Sequence, residues 1–267
     1  MKLPGAKAFP SLPSICLFVL ICIPLAGCIN FDFSGPFTVS SVTCPPAGCL
    51  NTVPVEIKDT NVSMPSLKAS YNLDDSARHA VEFGIVTAKG SGNQSISSGE
   101  QVYLNGQIAG PQQISSDFNL TVVDLMYRWR KFYASDSLGI ELLGGLNYST
   151  LSLNVTSPMQ SASGSYDDLA LQIGAGLMWR WHTGASVHAR TTYSGKGDAW
   201  GHTNEIWRNE LTLEQRLNKH LALNAGYASW KVNGQSLDTA GIDAIPSEFN
   251  LRFSGPVLRL NWDINGD

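Results

Sequence analysis

Two small groups of side chains have the types and spacing of a nucleophile and its base. Ser186 and His188 stand two residues apart in an alternating stretch, so they share a face and a hydroxyl–imidazole contact is within reach. Ser194, Asp198, His202 and Glu205 gather around one Gly-containing stretch, where a hydroxyl, an imidazole and carboxylates can be folded together. Neither group has the spacing of a known metal site. No HExxH is present, and no glycine-rich phosphate loop leads from a strand into a helix. No cofactor and no metal are therefore expected. A formal net charge of −4 argues against nucleic acid as a partner.

The elements that would position these groups are strands. From Leu169 to Trp181 the odd positions are Leu169, Leu171, Ile173, Ala175, Leu177, Trp179 and Trp181, while the even ones are small or polar. After His182-Thr183-Gly184 the alternation resumes through Val187 and Tyr193, set against Ser186, His188 and Arg190. Period two with a short Gly-containing break predicts an antiparallel hairpin. Six further segments behave in the same way: residues 78–89, 117–130, 138–149, 205–217, 220–231 and 248–264. The expectation is an all-β fold of eight antiparallel strands in an up-and-down transmembrane barrel. In the eighth segment Leu251 and Phe253 are placed outward, with a parity switch and a bulge at Gly255-Pro256.

Connections after the second, fourth and sixth segments are short, and those after the first, third, fifth and seventh are long and rich in Gly, Ser and Asn. That alternation fits short periplasmic turns and long external loops, and Trp129, Trp179 and Trp181 fall where an interfacial girdle belongs. The polar face carries both signs of charge: Glu82, Asp124, Arg128, Glu141, Arg180, Arg190, Arg208, Glu210, Arg252 and Arg259. These are expected to pair as a network in a polar lumen, because an unpaired charge there would be costly. A water-soluble lipocalin-type barrel is the alternative, with the apolar face lining a ligand cavity. An eight-stranded barrel is just wide enough for side chains to fill, so no open channel is expected.

The chain has 267 residues, 15% of them charged, and no stretch reaches the roughly 20 apolar residues of a spanning helix. Lys2 and Lys7 precede an apolar run from Ile15 to Gly27, which reads as a secretory signal peptide. The run ends in Leu25-Ala26-Gly27-Cys28, which resembles the bacterial lipobox. The resemblance implies a signal peptide over 1–27 and a mature chain beginning at a lipid-bearing Cys28, palmitate among its acyl groups. Ile29, which is not acidic, leans toward the outer membrane. Cys44 and Cys49 then remain as an even pair in an exported chain and read as a disulfide. Residues 28–76, rich in Pro and Ser, are expected as a periplasmic linker and residues 77–267 as the barrel.

The pattern from Arg78 to Ile264 resembles the Gram-negative eight-stranded outer-membrane barrels, the class of the OmpA transmembrane domain and the OmpW-like proteins. The resemblance implies an outer-membrane location, outer-membrane lipid as surroundings and the barrel-assembly machinery as a partner. Such barrels usually end in an aromatic residue, whereas this chain ends Trp262-Asp263-Ile264-Asn265-Gly266-Asp267, with Trp262 a few residues early. Some small barrels of this membrane modify lipid A. A deacylase of that kind would show His and Ser two apart at an external strand end; here Thr203 and Asn204 follow His202. A structural or surface-interaction role, through external loops that meet a ligand, is the leading expectation. Lipid A modification and carriage of a small hydrophobic ligand are the alternatives.

Overall fold

The structure is a computed structural model and describes residues 27–34, 64–74, 76–103, 107–133, 136–195, 203–236 and 247–263. Among these, every regular element is a strand. In chain order they are β1 (Gly27–Ser34), β2 (Ser66–Asn72), β3 (His79–Ile96), β4 (Gln101–Tyr103), β5 (Gln107–Ala109), β6 (Gln112–Tyr133), β7 (Leu138–Thr156), β8 (Ser161–Arg180), β9 (Ala185–Ser194), β10 (Thr203–Arg216), β11 (Leu221–Ser236) and β12 (Ser247–Asp263). β3 pairs with β6, and from β6 to β12 each strand pairs antiparallel with the next. β1 and β2 pair with each other and join β12 to β3, which closes the barrel. β4 and β5 form a separate two-stranded hairpin.

All eight sequence-predicted strands form, as β3 and β6 to β12. The count is nevertheless corrected to ten among the described residues, because β1 and β2 come from the segment read as linker. Both carry the period-two pattern in miniature: Ile29, Phe31 and Phe33 in β1, Leu67, Ala69 and Tyr71 in β2. Flanking prolines masked it. Closure explains why they belong to the wall: without them β3 and β12 would be open edges with unpaired backbone groups.

The short connections 73–78, 134–137, 181–184 and 217–220 share one end of the barrel. Gly27 starts β1 at that end, and Ser34 and Ser66 stand at the opposite, long-loop end. Of the segment expected as a periplasmic linker, residues 35–63 lie outside the described residues. Cys28 is the second residue of β1, opposite Ser70 and Asp263 in register. Cys44 and Cys49 lie outside the described residues, as does the proposed signal peptide before Gly27. In the turn 181–184, Gly184 donates its N–H to the Trp181 carbonyl at 3.2 Å with φ at +80°, a backbone region that favours glycine.

Several strands run far beyond the segments read from the sequence: β6 has 22 residues and β8 has 20. The Ser- and Asn-rich stretches taken for long loops are largely strand, with the parity kept and the polarity reversed. In β6, Asp124, Arg128 and Arg130 point inward near the short turns, while Phe118, Leu120 and Val122 point inward beyond them. Outward, Leu125 and Tyr127 are exposed below, and Asp117 and Asn119 above. The switch falls at Val122-Val123. Comparable switches lie near Val86 in β3, between Ser149 and Leu151 in β7, and between Asp167 and Leu169 on the outer face of β8.

β12 corrects the expected bulge. Its register with β11 runs unbroken from Ser247 opposite Ser236 to Trp262 opposite Leu221. Leu251 and Phe253 therefore point inward, at 2% and 0% exposure, not outward. Pro256 is tolerated without a bulge because β1 pairs with β12 only as far as Val257, so no donor is needed on that side.

Candidate functional site in the lumen

The half of the lumen near the short turns is filled by an ion-pair lattice reaching across the barrel. Arg190 of β9 donates to Glu141 of β7 at 2.6 Å and to Glu82 of β3 at 2.8 Å. Arg128 completes Glu82 at 2.8 Å, and Arg130 completes Glu141 at 3.0 Å. Five charges thus alternate in sign in one chain. Beside it, Arg208 forks Asp124, with one bond at 3.0 Å, and Asn147 donates to the same carboxylate at 2.6 Å. Arg259 and Lys68 share Glu210, the lysine at 3.8 Å. Glu214 accepts from Asn224 at 3.2 Å and Asn261 at 2.9 Å. Burial makes each pair consequential, since removing one partner strands the other charge in a medium that cannot hydrate it.

Glycine creates the space for this lattice. A Cβ on Gly176 would stand 2.6 Å from Cγ of Glu141, the carboxylate held by two arginines. The small residues on the inner face therefore let large charged side chains cross the lumen.

Beyond the lattice the lumen is apolar. Val86, Leu120, Val122, Leu151, Leu153, Ile206, Val232, Leu251 and Phe253 form one buried cluster, with the Phe118 and Phe253 rings 5.9 Å apart. The β4–β5 hairpin covers it: Val102 and Ile108, opposite each other in register, are fully buried in the same cluster. Its base is pinned by the Gly110 N–H on the Glu100 carbonyl at 2.9 Å and the Ser97 N–H on the Glu100 carboxylate at 2.7 Å. At the boundary, the Arg208 guanidinium lies 4.1 Å from the Trp230 ring centroid, a cation–π contact. A cavity of about 60 Å³ there is bounded by Glu82, Asp124 and Arg190 on one side and Val86, Trp230 and Val257 on the other. At about 30 Å³ per water it has room for about two.

Of the ten residues expected in the lumen network, eight take part in its ion pairs: Glu82, Asp124, Arg128, Glu141, Arg190, Arg208, Glu210 and Arg259. Arg180 faces the same lumen, but its Nε donates to the Met178 sulfur at 3.2 Å and its guanidinium lies 4.2 Å from the Phe132 centroid. Arg252 is a correction. With no parity switch in β12, it points outward and is exposed. Sequence reasoning missed Arg130, two positions from Arg128 on the same face, and Lys68, on the unrecognised β2. The hairpin cap lies within the first of the connections expected as long loops.

Ser186 and His188 do meet, Oγ to Nε2 at 2.9 Å, as their shared face predicts. Among the described residues no hydrogen bond orients the other ring nitrogen, the contact by which a third group makes a serine nucleophilic. Ser194 is buried on the inner face. Glu205 lies on the outer face, 3.4 Å from both the Tyr193 hydroxyl and Asn233 Nδ2. The barrel wall separates these two candidates. Asp198 and His202 lie outside the described residues. Among those residues no cluster of three or more His, Cys, Asp or Glu side chains is arranged to hold a metal ion.

No family profile matches the chain, and no curated protein matches it. Among solved structures, the outer membrane protease OmpT from Escherichia coli aligns with a TM-score of 0.54 at 10% identity, over 88% of this chain and 96% of that one. At this identity the likeness shows the fold, an antiparallel outer-membrane-type β-barrel. The translocator domain of the autotransporter NalP from Neisseria meningitidis, at TM-score 0.40 and 10% identity, covers 93% of this chain and 92% of its own. Ail, the attachment invasion locus protein of Yersinia pestis, scores 0.33 at 12% identity and covers 87% of this chain and 98% of its own. Neither of these looser likenesses adds to the argument.

Proposed function

We propose that this chain is an outer-membrane barrel lipoprotein with a structural or surface-interaction role, presenting loops on an extramembrane β-platform and conducting no solute. One observation carries the reading: the lumen is filled in both halves, by crossing ion pairs near the short turns and by the hairpin-capped apolar cluster beyond them. The outer wall supports the membrane location. Leu171, Ile173 and Leu177 are 75%, 64% and 58% exposed, a burden that lipid removes. Leu169 to Trp179 spans eleven residues of β8, which at about 3.3 Å each and a tilt near 40° gives about 27 Å, close to the apolar band of such barrels. A lipid on Cys28 agrees with the start of β1 at the short-turn end, beside the leaflet on that side.

The test is reconstitution. The chain expressed without residues 1–28 is expected to need detergent, to shift on a gel when heated and to pass no small sugars in a vesicle-swelling assay. A soluble monomer in plain buffer would sink the membrane reading, and steady swelling would sink the closed lumen. Mass spectrometry of the full chain is expected to find acyl groups on Cys28; a mature N-terminus elsewhere would refute the lipoprotein.

A second reading has an observation of its own. Above the band the wall is polar outside and apolar inside, the arrangement of a soluble ligand-carrying barrel. Carriage of a small apolar ligand under the hairpin would show as saturable binding of an apolar fluorophore that weakens when residues 98–109 are replaced by a short Gly-Ser linker.

A further inference from the structure

Tyr193, Trp207, Lys231 and Arg252 stand directly opposite one another in one rung across β9, β10, β11 and β12. All four are on the outer face, since their neighbours Val232, Leu251 and Phe253 are buried inward. Two features of this rung are unusual. Lysine opposite arginine repels in a strand pair, which is destabilising unless an anion sits between them. Among the described residues neither cation is in an ion pair, and Glu205, two residues beyond Trp207, is already held by Tyr193 and Asn233.

We infer that Lys231 and Arg252 bind the phosphate groups of the lipid whose acyl chains cover the wall beneath them. The inference rests on the membrane reading above and deepens it. Four residues down the same strands lie Leu211, Tyr227 and Pro256, followed on β12 by Leu258; the first two and Leu258 are 56%, 54% and 47% exposed. Four residues of tilted strand lift the cations about 10 Å above that apolar surface, into the headgroup layer. Across the tilted strands the rung falls toward Ile173 on β8, opposite Tyr193, so Lys231 and Arg252 stand at its upper end with the Tyr193–Trp207 aromatic pair between them and the apolar band. Tyr193 and Trp207 have ring centroids 4.6 Å apart, and Trp207 is 42% exposed. The lysine stem and the arginine fork reach phosphate from a flat wall. On the far side of the barrel the polar outer wall carries Asp117 and Asp167 against the single Lys89, so among the described residues the β11–β12 side is the one that favours an anionic headgroup.

The test uses the purified barrel in detergent, titrated with lipid A bearing both phosphates, with the same lipid stripped of phosphate, and with inorganic phosphate. Retained lipid is counted by native mass spectrometry and the melting temperature is followed. The phosphorylated lipid alone is expected to bind and to raise the melting temperature. Lys231→Gln with Arg252→Gln should weaken that binding tenfold or more, Lys231→Arg with Arg252→Lys should retain it, and Lys131→Ala near the short turns should leave it unchanged. Equal binding of the stripped lipid, or of the double Gln variant, overturns the inference while leaving a detergent-requiring barrel intact. Protection by inorganic phosphate alone, or displacement of the lipid by an acidic peptide in vesicles, assigns the cations to another anion and overturns it as well. A chain that stays soluble without detergent overturns the membrane reading itself.

Discussion

The two halves of this barrel are built from the same strands with opposite rules. Near the short turns, charge is inside and leucine outside; toward the long loops, phenylalanine and leucine are inside and Ser, Thr and Asn outside. No bulge or change of parity separates them in β6, whose inward positions run from Ile114 to Arg130 without a break. The lesson is that the outer solvent decides what the lumen can be made of. Where lipid takes the apolar residues, the interior must hold itself together with paired charge and hydrogen bonds. Where water meets the outside, the interior can be an ordinary hydrophobic core.

That contrast can be broken most sharply from within. Glu82→Ala leaves Arg128 and Arg190 without their shared carboxylate and should cost about 3–5 kcal/mol. In the other half, Phe253→Ala opens a cavity and should cost a similar amount, about 3–5 kcal/mol. The causes separate in a cycle: pairing each with Arg190→Ala should show coupling for Glu82 and none for Phe253 in urea unfolding from vesicles. Coupling of Phe253 to Arg190 would mean the halves are not distinct.

From outside, the same substitution should have opposite consequences in the two halves. Leu177→Arg, in the apolar band, should cost about 2–4 kcal/mol at mid-membrane. Ser152→Arg, outward in the upper wall, should stay within about 0.5 kcal/mol. Equal costs, measured by the same unfolding assay, would remove the boundary between lipid and water.

A smaller effect concerns the packing under the lattice. Gly176→Ala pushes on Glu141 and should cost about 1–3 kcal/mol, as overpacking does. The gel shift on heating should then occur at a lower temperature, and Glu141→Gly should partly relieve the clash only by losing the ion pairs.

The smallest effect lies outside the membrane, in the turn before β3. The Ser76 hydroxyl and the His79 backbone N–H hold the Asp74 carboxylate below its ordinary range. Because the folded value is depressed, this contribution is complete above the unfolded value, about 3.9, and is lost as pH falls through the lower folded value. Asp74→Asn should remove the dependence. A turn whose amide exchange is unchanged from pH 6 to pH 3 would contradict it.

Alternation along the chain was enough to place eight strands, the leucine face outward and most of the charge lattice inward, because period two is a property of the backbone and needs no partner. Arg208 and Asp124 were legible as inward residues for that reason, though their pairing across 84 positions was not. The eighth strand misled because Leu251 and Phe253 were assumed to follow the leucine face. Their true side depends on their height above the membrane, which no local pattern encodes. Arg252 was misplaced by the same error.

What the sequence alone determined is the parity of each strand and the sign of each face where polarity is strong. Only the tertiary structure decided that β1 and β2 close the wall, since β1 meets β12 more than 200 residues away in the chain. It also decided where the outer wall turns from apolar to polar, and showed that the Ser- and Asn-rich stretches are strand. Polarity says which face seeks water; closure and height decide on which side the water is.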